Sequence, residues 1–153
     1  MGAEFLIGAK VYLASILDLY SRFIAGWALS TVNDRHRMLR GLEMAVKRRC
    51  ADPGLRHHSD HGCTYANEDY RTRLEHHGIT CSMSRRGNCY DNSVIETWFS
   101  TIKSEEAERF ASYAHAKEVL FDPIEVFCNQ RRRHSTLGQI SPTEVERRAG
   151  HAA

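Results

Sequence analysis

The stretch from Val11 to Ser30, VYLASILDLYSRFIAGWALS, limits the fold more than any other part of the chain. β-branched and aromatic residues crowd both of its ends and the polar group DLYSR interrupts its middle, the pattern of two antiparallel strands folded back on each other. Two apolar strands are not stable alone and need further layers on their faces. Before them, EFLIGAK reads as the end of an earlier strand, cut short, with Gly8 and Ala9 turning into the hairpin.

The chain then alternates between two periods. After Asn33, the expected N-cap, the segment DRHRMLRGLEMAVKRRC sets Met38, Leu39, Leu42, Ala45 and Val46 on one helical face. Basic residues fill its last turn, where the helix dipole favours them, and ADPG ends it. LRHHSD reads as a short strand running into a turn at Gly62, NEDYRTRLEHHG as a helix closed by Gly78, and ITCSM as another short strand. Asp91 is the expected cap of a helix over residues 92–109. A last helical region over residues 114–131 should break or kink at Pro123, with Asp122 as cap, and a short helix follows Ser141 and Pro142. Strands followed by alternation with helices predict an α/β domain with a mixed sheet flanked by helices, over residues 1–146, and a frayed tail over 147–153.

Total charge decides little. The 153 residues carry 21 Lys and Arg against 19 Asp and Glu, a net charge of +2, too small by itself to imply a polyanionic partner. The basic residues are nevertheless clustered, at Lys47, Arg48 and Arg49, at Arg85 and Arg86, and at Arg131, Arg132 and Arg133. Each cluster has a bland reading as a solvated helix end or loop. Five cysteines without a C-x-x-C pair point to a reducing cytoplasm, and the nine histidines lack the short paired spacings of structural zinc sites. No apolar run approaches the roughly 18 residues of a membrane-spanning helix, so no membrane partner is expected.

Two acids stand out. Asp60 ends a predicted strand just before a glycine turn, a position from which α/β sheets commonly present chemistry. Glu96 lies on the predicted helix after Asp91, where Val94, Ile95, Trp98, Phe99 and Ile102 fill an arc of about 140° and Glu96, Ser100 and Lys103 fall within about 60° of one another on the other side. Alone, Asp60 reads as a turn brace and Glu96 as a solvated helix residue. Together, a strand end and an anchored helix could offer oxygen ligands to Mg²⁺.

HHSD at 57–60 and SMSRRGNCYDNSVIETWFSTIKSE at 82–105, with 35 residues between Asp60 and Glu96, resemble the catalytic core of bacterial insertion-sequence transposases, a group related to retroviral integrases. YLASILDLYSRFIAGWALS and IEVFCNQRRRHSTLGQISPTE are similar to the same family's flanking blocks, so the resemblance runs from about residue 4 to 146. It implies a ribonuclease-H-like fold whose first strand is incomplete here. It further implies DNA strand transfer by three acids that hold two divalent ions, Mg²⁺ or Mn²⁺. Asp60 matches the second acid and Glu96 the third. Arg85, Arg86 and Asn88 match a loop near DNA, Lys103 is placed to meet a phosphate, and Arg131, Arg132 and Arg133 would position the backbone without reading bases.

The family's first Asp, within a W-x-x-D stretch, has no counterpart in these residues and would fall at or just before Met1. Asp18, in the next strand, is the one candidate substitute. The resemblance therefore implies a core that is a poor catalyst alone, working on insertion-element ends and target DNA in the bacterial cytoplasm and nucleoid. Partners would be further copies of the chain or a full-length transposase. The competing expectation is a non-catalytic DNA-binding or assembly module.

Overall fold

The computed structural model describes residues 2–7, 11–50, 52–59, 68–83, 89–106 and 110–150. Strands β1 (Gly2–Ile7), β2 (Val11–Leu17), β3 (Ile24–Ser30), β4 (Arg56–Ser59) and β5 (Thr80–Met83) form one mixed sheet in the order β3-β2-β1-β4-β5. The hairpin pairs antiparallel as predicted, from Tyr12 opposite Ser30 to Leu17 opposite Ile24. β1 pairs antiparallel with β2 along its whole length, and, among the described residues, with β4 in parallel at Gly2 opposite Ser59. β5 runs parallel to β4.

Between Ile16–Gly26 and Leu17–Ile24 the register skips Ala25, a bulge that moves the start of β3 onto the other face of the sheet. One face thus carries Val11, Leu13, Leu17, Ile24, Trp27 and Leu29, and the other carries Ala14, Ile16 and Ala25. On the second face lie α1 (Arg35–Arg49) and α2 (Glu68–His76), through Met38, Leu42, Ala45, Tyr70 and Leu74. α1 comes so close to β3 that a Cβ on Gly26 would stand 2.1 Å from the Gly41 carbonyl oxygen and 2.8 Å from the Ala45 nitrogen. Only glycine fits there. The first face is covered by α3 (Cys89–Glu106), α4 (Tyr113–Phe121) and the segment from Asp122 to Arg131.

Three helix boundaries differ from the sequence expectation. The cap of α1 is Asp34, whose carboxylate accepts from the Arg37 N–H at 3.1 Å, while the Asn33 side chain accepts from the Arg37 guanidinium instead. α3 begins at Cys89, so Asp91 lies within its first turn rather than before it.

At Pro123 the chain neither breaks nor starts a capped helix. It continues from α4 as a π-helix over Asp122–Arg131, entered through Phe121 and Asp122 in right-handed helical geometry. Proline near the start of the new segment costs no hydrogen bond that the changed register would make. The Arg132 N–H closes the segment on the Phe127 carbonyl, five residues back. This register buries Ile124, Cys128 and Asn129 together.

Asn129 is fully buried. Its side-chain oxygen accepts from the Ile24 N–H at 2.8 Å and its amide donates to the Ile24 carbonyl at 3.2 Å, so one side chain does for Ile24 what a neighbouring strand would. Further along β3, the Trp27 N–H meets the Met44 sulfur, and the Leu29 carbonyl accepts from Arg40 and from the Tyr113 hydroxyl. After a 3-10 turn over Ser135–Leu137, α5 (Pro142–Arg148) is capped by Ser141, as expected.

Candidate nucleic-acid-processing site

α3 presents the third predicted acid as the periodicity implied. Ile95, Trp98, Phe99 and Ile102 are buried in the core, and Glu96, Thr97 and Ser100 are exposed. The Thr97 and Thr101 hydroxyls donate to the carbonyls of Ser93 and Thr97, one turn back, at 2.7 and 3.0 Å. This turns their polar groups onto the helix's own backbone. Glu96 therefore stands on a helix whose opposite side is locked into the core. Lys103 lies on the same helix two turns on.

Asp60, Arg85, Arg86 and Asn88 lie outside the described residues. Their framework is described. β4 ends at Ser59, its parallel partner at that point is Gly2 of β1, and α3 packs against β1. The strand leading to Asp60 and the helix carrying Glu96 thus meet the same strand.

The two histidines before Asp60 differ in role. His57 is buried, and its Nε2 lies 3.1 Å from the Tyr70 hydroxyl of α2, with the two rings 5.6 Å apart. Burial, with a smaller push from His58, lowers its pKa from 6.5 to about 3. A neutral imidazole engaged with Tyr70 is a core group. Burial also pushes the Tyr70 hydroxyl far up. Both histidines touch a cavity of about 310 Å³ between the end of β2, α1 and β4, but His58 is only half-buried. Sequence reading could not separate the two, because adjacent strand residues face opposite ways only once the register is known.

Asp18 follows β2. One carboxylate oxygen accepts from the N–H groups of Tyr20 and Ser21 at 2.8 and 3.1 Å, and the other pairs with Arg49 at 3.2 Å. Both oxygens thus hold the hairpin turn and tie it to α1. Arg49 also pairs with Glu146 of α5, and its guanidinium lies 5.0 Å over the Phe23 ring. Beside it, Arg48 grips both oxygens of Glu125 at 3.0 and 2.6 Å, and Glu125 in turn accepts from the Trp27 indole at 2.8 Å. Glu125, Glu146 and Asn129 were not singled out from the sequence, since their partners are 77 to 105 residues away.

The last basic run sits at the end of the π-helix. Arg131 and Arg133 are exposed, while Arg132 is half-buried and donates to the Thr101 hydroxyl of α3 at 3.4 Å. Among the described residues none of the three is in an ion pair, and no three His, Cys, Asp or Glu side chains form a group able to hold a metal ion. Also among the described residues, no helix is long and apolar enough to cross a membrane.

A mixed five-stranded sheet with its first three strands antiparallel, flanked by helices and presenting an acid from α3, is a ribonuclease-H-like fold of the retroviral integrase kind. It superposes on the catalytic core domain of BIV integrase with a TM-score of 0.68 at 14% identity, covering 97% of this chain and 93% of that one. The HTLV-2 integrase catalytic core domain in complex with magnesium gives 0.68 at 11% identity, covering 94% and 92%.

Residues 3–89 match the family model of the integrase core domain, and residues 77–142 match a second model of the same description. The chain belongs to the integrase core family. It is 41% identical over 134 residues to the insertion element IS600 uncharacterized 31 kDa protein of Shigella sonnei, covering 86% of this chain and 49% of that protein. It is 36% identical over 138 residues to the transposase InsF for insertion sequence IS3A of Escherichia coli (strain K12), covering 89% and 48%. The chain spans about half the length of the curated relatives it matches.

Proposed function

We propose that the chain is the catalytic-core part of an insertion-sequence transposase that works on DNA by phosphoryl transfer, with Asp60 and Glu96 as its acids. The observation that carries this reading is the exposed Glu96 on a core-anchored α3, which packs on the same strand, β1, that pairs with the end of β4 beside Asp60. The relative named a transposase supports the substrate class, and the integrase core in complex with magnesium supports a divalent ion.

Glu96 fits such an ion as a hard oxygen donor held on a rigid element. When bound between Asp60 and Glu96, the ion would supply Lewis-acid stabilisation of phosphoryl oxygens. The chain's own part is to fix the two carboxylates and to hold the DNA. α3 keeps Glu96 oriented, and Arg85, Arg86, Asn88, Lys103 and the Arg131–Arg133 run attract and position the phosphate backbone. Asp18 keeps both carboxylate oxygens in the hairpin turn in this reading, so residues 1–153 carry two acids for the chemistry and cut DNA weakly on their own. Further copies, or a full-length transposase, would complete the working assembly.

The test is cleavage and binding of DNA carrying the element's ends, with Mg²⁺ or Mn²⁺. The expected outcome is salt-sensitive binding with little cutting. Vigorous cutting that Glu96→Gln or Asp60→Asn abolishes would show that two acids suffice or that Asp18 serves as a third. Binding with no cutting, even when mixed with a full-length transposase whose own Glu is disabled, would favour a non-catalytic assembly module.

A further inference from the structure

A cavity of about 220 Å³ opens between the hairpin turn, α3 and the chain that follows the π-helix. Three groups that are or can become cationic line it: Arg22, Arg132 and His134. Burial, then the charges of Arg132 and Arg22, lower the pKa of His134, so the three groups sense one another. No carboxylate lines the cavity among the described residues, because that of Asp18 is turned to the hairpin and Arg49.

Two residues of its wall each carry a buried donor without a hydrogen-bond partner. One donor is the indole Nε1 of Trp98, a residue only 7% exposed, and the other is an Nη of Arg132. Leaving such groups unsatisfied is costly. Arg22 adds a third anomaly, since its φ of 63° is in the left-handed region, which a non-glycine residue adopts at a cost. The Ser135 and Thr136 residues at the rim add hydroxyls. Converging positive charge, unpaired buried donors and a strained arginine together describe an anion site.

We infer that this cavity binds a backbone phosphate of the DNA strand that reaches Glu96. The inference rests on the DNA-processing reading above and adds a second, built phosphate contact to it. Ser93 and Thr97 of the cavity wall flank Glu96 on α3. Residues three apart on a helix are side-chain neighbours, so a strand at Glu96 would bring an adjacent phosphate to the cavity mouth. Arg22 and Arg132 would supply charge-assisted hydrogen bonds, and the Trp98 indole a buried neutral one.

The chain has two tryptophans, and the indole of Trp27 is already bonded to Glu125, so the two indole N–H resonances separate the site from its surroundings. Titration with inorganic phosphate and with a short DNA duplex should move the Trp98 resonance and leave that of Trp27 in place. Arg22→Asn, which tolerates the left-handed backbone, should weaken DNA binding roughly tenfold and lower the salt dependence by about one released counterion. Arg132→Gln should do the same. DNA that binds both variants as tightly as the parent and leaves Trp98 unmoved overturns the inference while the DNA reading stands. A Trp98 response to inorganic phosphate but not to bound DNA overturns the backbone as its ligand. Failure of the parent protein to bind DNA at all overturns the DNA reading itself.

Discussion

Two triplets of basic residues, Lys47-Arg48-Arg49 and Arg131-Arg132-Arg133, are almost the same in sequence and opposite in use. In the first, Arg48 and Arg49 face carboxylates from distant parts of the chain and join α1 to the π-helix, the hairpin turn and α5. In the second, Arg131 and Arg133 face solvent and Arg132 meets only a hydroxyl among the described residues. Clustered positive charge is therefore no indication of a ligand until the nearby acids are located. One triplet is fastening, and the other is left with charge to offer.

The largest break in this contrast is expected at Arg49. Glu146 is buried, its side chain only 4% exposed. Arg49→Met leaves that carboxylate without its partner and should destabilise the protein by about 3 kcal/mol. The melting temperature should fall by roughly 10 °C, read by calorimetry. DNA affinity, compared at a temperature where both proteins are folded, should hardly change.

Next comes an acid titration, which compares His57 with His134. The folded protein holds His57 neutral down to about pH 3, while the unfolded chain takes up its proton near 6.5. Its contribution is therefore complete above pH 6.5 and is lost as pH falls from there toward 3, by up to about 1.4 kcal/mol per pH unit. Urea unfolding at several pH values measures that slope, and His57→Phe combined with Tyr70→Phe should remove it. His134, only half-buried, has the same sign and should add a shallower slope.

Arg48→Met is a smaller break, because its side chain is 32% exposed and Glu125 keeps the Trp27 indole. About 1 kcal/mol is expected. The smallest effect on stability belongs to Arg131→Gln and Arg133→Gln, each within about 0.5 kcal/mol. On binding the order reverses. Each of these two should lower the salt dependence of DNA binding by about one unit of slope, and no such change in the two α1 variants completes the contrast.

The same contrast marks what could be seen in the sequence. The hairpin, the buried face of α1, the outward Glu96 and the capping Ser141 depend on neighbours within a few residues, and period and capping chemistry were enough to find them. The roles of Arg48, Arg49, His57 and Asn129 depend on partners far along the chain, which composition does not reveal. Pro123 was visible as a disturbance, but its outcome was not, since a π register keeps the chain helical by adding a residue to the turn. The proposed pairing of Asp60 with Glu96 came from family resemblance and not from period or capping. The structure describes Glu96 and the framework around Asp60, while Asp60, Arg85, Arg86 and Asn88 lie outside the described residues.

The outer strand β3 has a further consequence. An uncovered border strand is a template on which a second molecule can zip, the route to fibrils and tangled dimers. Here an amide engages Ile24, a thioether Trp27, and a guanidinium and a phenol share the Leu29 carbonyl along that border. These contacts keep this flank of the sheet from becoming the place where a second molecule sticks.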